Sequence, residues 1–217
     1  MGHDLIDSTE MYLRIVLELE EEGVPALRAR VAERLHLSAP SVSEGVSRLE
    51  EQGLLRLTED RTVELTDRGR EWASSVMRKH RLAERLLADV IGLDPAFLHE
   101  EACRWEHVIS DRVEERIAEL LGHPTTSPYG NPIPGAPTDG TVAAPLDTFD
   151  GARAVVHSLS EQLQAEEDTI AALFAAGIRA GATVDVERAG EGTVLRTADG
   201  AVVLDAVHAR LVFVRSA

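Results

Sequence analysis

The chain has 217 residues, a formal net charge of −16 and 44% hydrophobic residues, so it has the apolar content to bury a core, as one large or two small domains, and is not disordered overall. The acidic balance argues against indiscriminate affinity for nucleic acid, because net charge sets long-range attraction. No apolar run reaches the length of a membrane span, and Met1-Gly2-His3-Asp4 lacks the basic and apolar regions of a signal peptide, which leads us to expect a cytoplasmic protein with no membrane partner.

The net charge conceals local differences. Arginines gather at Arg28, Arg30, Arg34, Arg48, Arg56 and Arg61, whereas acidic residues concentrate in Glu18 to Glu22, Glu114 to Glu119 and Glu161 to Asp168. A basic face on an acidic protein is therefore available.

From Asp4 to Glu22, apolar residues at Leu5, Met11, Ile15, Val16 and Leu19 follow helical spacing, with Asp7 or Ser8 as a cap and Gly23-Val24-Pro25 as the stop. Leu27 to Leu35 repeats the pattern. After a short break at His36-Leu37-Ser38, Pro40 to Gln52 places Val42, Val46 and Leu49 on one side. Ser38 is positioned to cap this second run, and Pro40 fits a first turn whose amides lack intrahelical partners.

Ser41, Ser43, Glu44 and Ser47 point away from the apolar stripe, as suits a helix N-terminus that approaches base edges and phosphates. The alternations Leu55-Arg56-Leu57 and Val63-Glu64-Leu65, joined across Glu59-Asp60-Arg61, predict a hairpin wing. Together these elements predict a winged helix-turn-helix. A three-helix bundle without a DNA role is the plainer alternative.

Thr66-Asp67-Arg68-Gly69 opens a long helix that runs to Ile91, and two further helices follow, over Ala96 to His107 and Ser110 to Leu121. Six prolines between Gly122 and Phe149 predict an irregular linker. Beyond it, Ala154-Val155-Val156, Thr183 to Val186, Thr193-Val194-Leu195 and Leu211 to Val214 predict strands, with one helix over Ser160 to Ala176. That pattern fits a small β-barrel.

Candidate chemistry concentrates between Arg78 and His107. The single cysteine cannot form an internal disulfide, so Cys103 is a packed apolar residue, a metal ligand or a reactive thiol. On a helix Cys103, Glu106 and His107 share one face at i, i+3 and i+4, and His80 and Glu84 share another. Thiolate, carboxylate and imidazole form a borderline-soft set suited to a divalent transition metal, while His80, Glu84 and His99 form a harder one. Taken singly, each has an ordinary explanation: a buried thiol is usually packing and a helical His/Glu pair a solvated ion pair. Their clustering favours ligation.

Four stretches resemble the iron-dependent repressor family of the diphtheria toxin repressor type. They are Asp7 to Arg14 around Met11, Val76 to Leu87, Glu101 to Val108, and Ser127-Pro128-Tyr129-Gly130-Asn131-Pro132-Ile133-Pro134-Gly135. The likeness is dense through Gly135 and looser after it. It implies a mainly α protein with β structure: a winged helix-turn-helix over residues 1–74, a helical metal-binding and dimerisation domain over 75–140, a linker over 141–150, and an SH3-like domain over 151–217.

The resemblance also implies a primary metal site from Met11, Cys103, Glu106 and His107. An ancillary site would come from His80, Glu84 and His99 and be completed by Glu161 and Gln164. For DNA it implies contacts from Ser38, Pro40, Ser41 and Ser43, with Arg28 at phosphate. Glu44 departs from the family's common glutamine, since a carboxylate only accepts hydrogen bonds and is repelled by phosphate.

The implied function is metal-dependent repression without catalysis. Fe(2+) would act as co-repressor, enabling a homodimer to bind palindromic double-stranded operators of iron-homeostasis genes. Mn(2+), Co(2+), Ni(2+) or Zn(2+) are possible substitutes. A manganese sensor of the same family is the alternative, although the sulfur donors Met11 and Cys103 favour iron. A hydrolase using Cys103 and His107 ranks below both, because no orienting third residue accompanies them.

Overall fold

The computed structural model describes residues 2–138, 140–190 and 192–217, with side chains from residue 8 onward. The inward place of Leu5 and the cap at Asp7 therefore lie outside the described side chains. The chain divides into two compact units, Met1–Arg78 and Lys79–Ala217.

The first unit begins with α1 (Gly2–Glu21), in which every residue from Tyr12 to Leu19 is buried. Two charged residues lie within that run, and each is paired. Arg14 Nε donates to Glu18 Oε1 at 2.7 Å, and Arg34 reaches Glu18 at 3.6 Å and Glu22 at 2.5 Å. Pairing is what makes such burial tolerable, since an unpaired buried charge costs several kcal/mol. Arg34 lies on α2 (Arg28–Leu35), so the network also ties the first two helices together.

The second helix ends at His36 in a left-handed conformation, φ 52°, and the chain turns into α3 (Ala39–Glu51). Ser38 caps α3 by accepting from the Ser41 amide, and Val42, Gly45, Val46 and Leu49 form its buried side. Gly45 is required there: a Cβ would stand 2.5 Å from the Tyr12 ring. The wing follows as β1 (Leu55–Leu57) and β2 (Val63–Leu65), antiparallel with Leu55 opposite Leu65. Its turn closes by Thr58 N–H donating to Thr62 O, with Arg61 at φ 67°.

Helix α4 (Asp67–Leu86) starts under a Thr66 hydroxyl that accepts from the Gly69 amide. The helical pattern continues to Ile91, but its last turn, Leu87–Ile91, widens to π geometry before Gly92 stops it. A 3-10 turn (Pro95–Phe97) leads into α5 (Leu98–Trp105), and α6 (Asp111–Leu120) follows.

The proline-rich stretch is irregular, as the sequence predicts, yet it is not a loose tether. Tyr129 is fully buried, its hydroxyl donates to Pro95 O at 2.6 Å, and its ring meets Phe174 edge-on. Ile133 and Asn131 are buried beside it. Backbone bonds within residues 125–133 give the segment its own turn.

The sheet begins earlier than the sequence pattern suggests, with β3 (Ala144–Pro145), followed by a 3-10 turn (Leu146–Thr148). The guanidinium of Arg188 donates to the carbonyls of Leu146, Asp147 and Phe149 and so fastens this lead-in. Next come β4 (Arg153–Leu159), β5 (Thr183–Ala189), β6 (Gly192–Arg196), β7 (Ala201–Leu204) and β8 (Val212–Ser216). They form one antiparallel sheet in the order β3-β8-β4-β5-β6-β7, the SH3-like element implied by the resemblance.

The single helix read over Ser160 to Ala176 is two, α7 (Glu161–Gln164) and α8 (Glu167–Ala175), interrupted at Ala165-Glu166. Neither that break nor α9 (Ala206–Arg210) has a glycine or proline to announce it. One hydrophobic cluster joins Ala83, Leu87, Leu98 and Ala102 of the helices to Leu159, Leu163, Ile170 and Val212 of the sheet region. The helices and the sheet of this unit therefore share a core.

At the surface of this unit His208 bridges two acidic groups, Nδ1 to Asp205 at 2.8 Å and Nε2 to Glu166 at 2.7 Å. Partial burial opposes its charge, but hydrogen bonds to Glu166 and Asp205 outweigh that and raise its pKa above 6.5. A raised pKa stabilises the fold most below the unfolded value, and the contribution is lost as pH rises through the folded value. The melting temperature should therefore fall across this window in the native chain. The fall should be smaller in His208→Gln, and equal slopes in the two proteins would refute the clamp.

Candidate metal centre

Three helices of the second unit converge on one polar cluster. His80 and Glu84 come from α4, His99 from α5 and Glu161 from α7, and one ligand atom from each lies within 4.8 Å of the others. All four are buried. His80 Nε2 is 2.9 Å from Glu84 Oε1 and 3.4 Å from Glu161 Oε2, and His99 Nδ1 is 3.4 Å from the same Glu161 oxygen.

The cluster has unused ligand capacity. Glu84 Oε2, His99 Nδ1, Glu161 Oε2 and Gln164 Oε1 are buried without a hydrogen-bond partner. Buried polar atoms are ordinarily satisfied, so the atoms left over on Glu84, His99 and Glu161, three members of the cluster, need an explanation. A divalent cation supplies one: two imidazoles and two carboxylates are donors suited to a first-row transition metal. The residues present therefore fit a metal.

Electrostatics agrees. Burial disfavours the imidazolium of His80, but the charges of Glu84 and Glu106 hold its pKa well above 6.5. His99 is likewise raised against burial, by the neighbouring Cys103 thiol and the Glu161 and Glu84 carboxylates. Burial pushes Glu161 upward, yet His80, His99 and Arg81 bring it well below 4.5. Without a cation, protons on the imidazoles supply the charge that balances the carboxylates.

Glu161 is aimed by groups that sequence reasoning missed. Arg81 Nε and Asn131 Nδ2 each donate to Glu161 Oε1 at 3.1 Å, leaving Oε2 to face the histidines. Arg81 is 1% exposed. The signal available was a charged residue next to His80 in an otherwise amphipathic helix, but its partner lies 80 residues away. Gln164 donates through Nε2 to Leu159 O at 2.8 Å, which fixes its amide and turns Oε1 away.

The second predicted set is arranged differently. The helix carrying Cys103 ends at Trp105, so Glu106 is its C-cap and His107 sits in the turn beyond. Glu106 keeps helical dihedrals and donates its amide to Ala102 O, whereas His107 lies past the cap. Glu106 is buried, with Oε2 at 2.6 Å from His80 Nδ1 and Oε1 at 3.4 Å from His107 Nε2. Cys103 Sγ lies 3.6 Å from His99 Nε2. Met11 belongs to the first unit, half-buried on α1.

In the first unit, α3 leaves Ser38, Pro40, Ser41 and Glu44 exposed, Ser43 half-buried and Arg28 half-buried at the start of α2. The Ser38 and Ser41 hydroxyls are 2.8 Å apart. A capped helix N-terminus bearing short hydroxylic side chains beside a β-wing has the geometry that winged helix-turn-helix domains use to approach base edges and phosphates.

A winged helix-turn-helix together with a buried, unsatisfied set of metal donors defines a metal-responsive DNA-binding regulator. Known proteins give the same answer. Residues 4–63 match the iron dependent repressor N-terminal DNA binding domain, and residues 66–135 match the iron dependent repressor metal binding and dimerisation domain.

The chain is 49% identical to the diphtheria toxin repressor of Corynebacterium efficiens, over 92% of this chain and 91% of that protein. It is 50% identical to the iron-dependent repressor IdeR of Mycobacterium tuberculosis, over 88% and 89%. A solved manganese-dependent transcriptional repressor, in complex with manganese, superposes with a TM-score of 0.81 at 32% identity, covering 96% of this chain and 100% of that one. The chain belongs to the iron-dependent repressor family, whose members are metal-dependent transcriptional repressors. Among the described residues no helix is long and apolar enough to cross a membrane.

Proposed function

We propose that this protein is an Fe(2+)-activated repressor that binds, as a homodimer, to palindromic operators of iron-homeostasis genes in the cytoplasm. The observation that carries the metal dependence is the buried His80, Glu84, His99 and Glu161 cluster with its orphaned oxygens and nitrogen. Support for iron comes from the relatives near 50% identity, which are named as diphtheria toxin and iron-dependent repressors, and from the sulfur donors Met11 and Cys103. Manganese is the second reading: the cluster itself contains only nitrogen and oxygen donors, and one similar structure is a manganese-dependent repressor.

In this reading His80, Glu84, His99, Glu161 and Gln164 hold one ion, and Met11, Cys103, Glu106 and His107 hold a second. A bound cation supplies positive charge and directed bonds. The residues do the rest. Glu161 is oriented by Arg81 and Asn131, and Cys103, Glu106 and His107 join Met11 in fixing the wings for a two-fold operator.

Metal that binds only one conformation shifts the equilibrium toward it by RT ln(1 + [M]/Kd). Ser38, Pro40, Ser41 and Ser43 then face base edges, with Arg28 at phosphate and Glu44 accepting from a cytosine amino group. Val90, Ile91, Val113 and Leu120, all exposed, provide apolar surface for the dimer.

The test is anaerobic fluorescence anisotropy of an operator selected from random DNA, titrated with chelated protein and then with Fe(2+) or Mn(2+). Tight binding should appear only with metal, at a lower midpoint for iron. Met11→Ala and Cys103→Ala should each weaken it by about tenfold or more, the order expected when one strong contact is lost. Metal-independent binding would leave an architectural DNA binder and refute this reading.

A further inference from the structure

One residue of α3 is not explained by helix propensity. Gly45 lies in the middle of the helix with an ordinary helical backbone, where glycine is less favourable than alanine. Space is the reason. A Cβ on Gly45 would lie 2.5 Å from both Cζ and the hydroxyl oxygen of Tyr12, so the missing side chain makes a seat for the phenol.

Tyr12 is 4% exposed, and its hydroxyl donates to Ser41 O at 3.4 Å, one turn before Gly45. A helical carbonyl has a second lone pair to offer beyond its ladder bond. The seam continues where Arg48 Nη2 donates to Ser8 Oγ at 3.4 Å. Ser8 and Tyr12 share a face of α1 by their spacing, as Ser41, Gly45 and Arg48 do on α3. Burial raises the phenol pKa, Arg48 opposes this and Glu44 adds to it, so at neutral pH the hydroxyl is a protonated donor flanked by Arg48 and Glu44.

We propose that Tyr12 is a positioning residue for operator recognition: seated at Gly45, it fixes the first turns of α3 against α1 and so the direction in which Ser41, Ser43 and Glu44 meet the base edges. Being buried, Tyr12 acts through α3 rather than on a base. Hydrogen bonds to base edges are directional and carry the sequence information, whereas phosphate contacts depend chiefly on charge. A loosened α3 therefore loses discrimination between sequences before it loses affinity for DNA.

The inference rests on the DNA-reading role given to α3 above. With Met11 a metal ligand, as proposed there, adjacent residues of α1 serve ligation and recognition.

The test is fluorescence anisotropy of the full chain, saturated with Fe(2+) without oxygen, on the selected operator and on a copy altered at one base pair in each half-site. Tyr12→Leu should lower the ratio of the two affinities by about tenfold, the order of one mismatched base pair. The salt dependence of binding should match the parent's, because the phosphate contacts remain. Gly45→Ala displaces the ring from the other side of the seam and should lower the ratio in the same way.

Circular dichroism and thermal melting select the variants that fold. A merely stabilising role would shift melting and both affinities together and leave their ratio alone. A folded Tyr12→Leu or Gly45→Ala that discriminates as the parent does, or that weakens both duplexes equally, overturns the proposal. If the parent binds its operator equally with and without metal, the metal-activated reading fails, and the same comparison in metal-free protein still decides the role of Tyr12.

Discussion

Glu161→Ala is expected to destabilise the second unit by about 3–5 kcal/mol, the cost of breaking a buried charge network by removing one member. Glu161 is 3% exposed and is the common partner of Arg81, Asn131, His80 and His99. Its loss leaves the Arg81 guanidinium without this carboxylate and the two imidazoles with fewer anions to balance their protons. Urea denaturation of the metal-free protein measures the effect.

The same variant separates structure from ligation. Metal at a hundredfold excess over Kd should add about 2.7 kcal/mol to the native chain and nothing from this site to the variant. A loss below about 1 kcal/mol, within the range of ordinary substitutions, would show that Glu161 holds no network together. Glu161→Gln should recover part of the stability, because the amide oxygen can still accept from Arg81 and Asn131.

Gly130→Ala should be almost as damaging. Gly130 has φ +93°, and a Cβ there would lie 2.1 Å from His157 O and 2.9 Å from the Ala180 side chain. Backbone strain and overpacking together predict a loss of about 2–6 kcal/mol. Because the adjacent Tyr129 is fully buried, near-ultraviolet circular dichroism should weaken at the same denaturant concentration as the backbone signal. A variant as stable as the parent would mean that the proline-rich segment adapts freely. That would contradict its packed turn.

Local pattern carried much of the fold. The apolar stripe of α3 at Val42, Val46 and Leu49, the Ser38 cap and the period-two wing are written in neighbouring residues, and each is found as read. Packing of the segment around Tyr129 was not legible. Prolines and glycines signal an irregular backbone, but whether that backbone is buried depends on partners such as Pro95 and Phe174, distant in sequence. The break at Ala165-Glu166 escaped because both residues tolerate helix.

The site divides along the same line. His80 and Glu84 share a helical face by spacing alone, whereas Glu161 and Gln164 entered only through family resemblance, and the convergence of Glu161 on the histidines is tertiary. Arg81 and Asn131 escaped because positioning residues leave no spacing pattern of their own. The face assigned to Cys103, Glu106 and His107 assumed a helix two residues longer than α5 provides.

The separation between the first and last donors also sets the order in which this pocket can come into being. As the chain is synthesised, the helix bearing His80 and Glu84 emerges first. It must wait for the 80 residues that part Arg81 from Glu161 before the cluster can be completed. Until β4 and α7 are available, the nascent chain displays the histidines and Glu84 without the second carboxylate. Contacts of such sequence separation form late, because loop closure is unfavourable before they are made. Full ligation is thus a property of the finished polypeptide, and a ribosome-bound fragment ending before residue 160 would present the pocket without its Glu161 carboxylate.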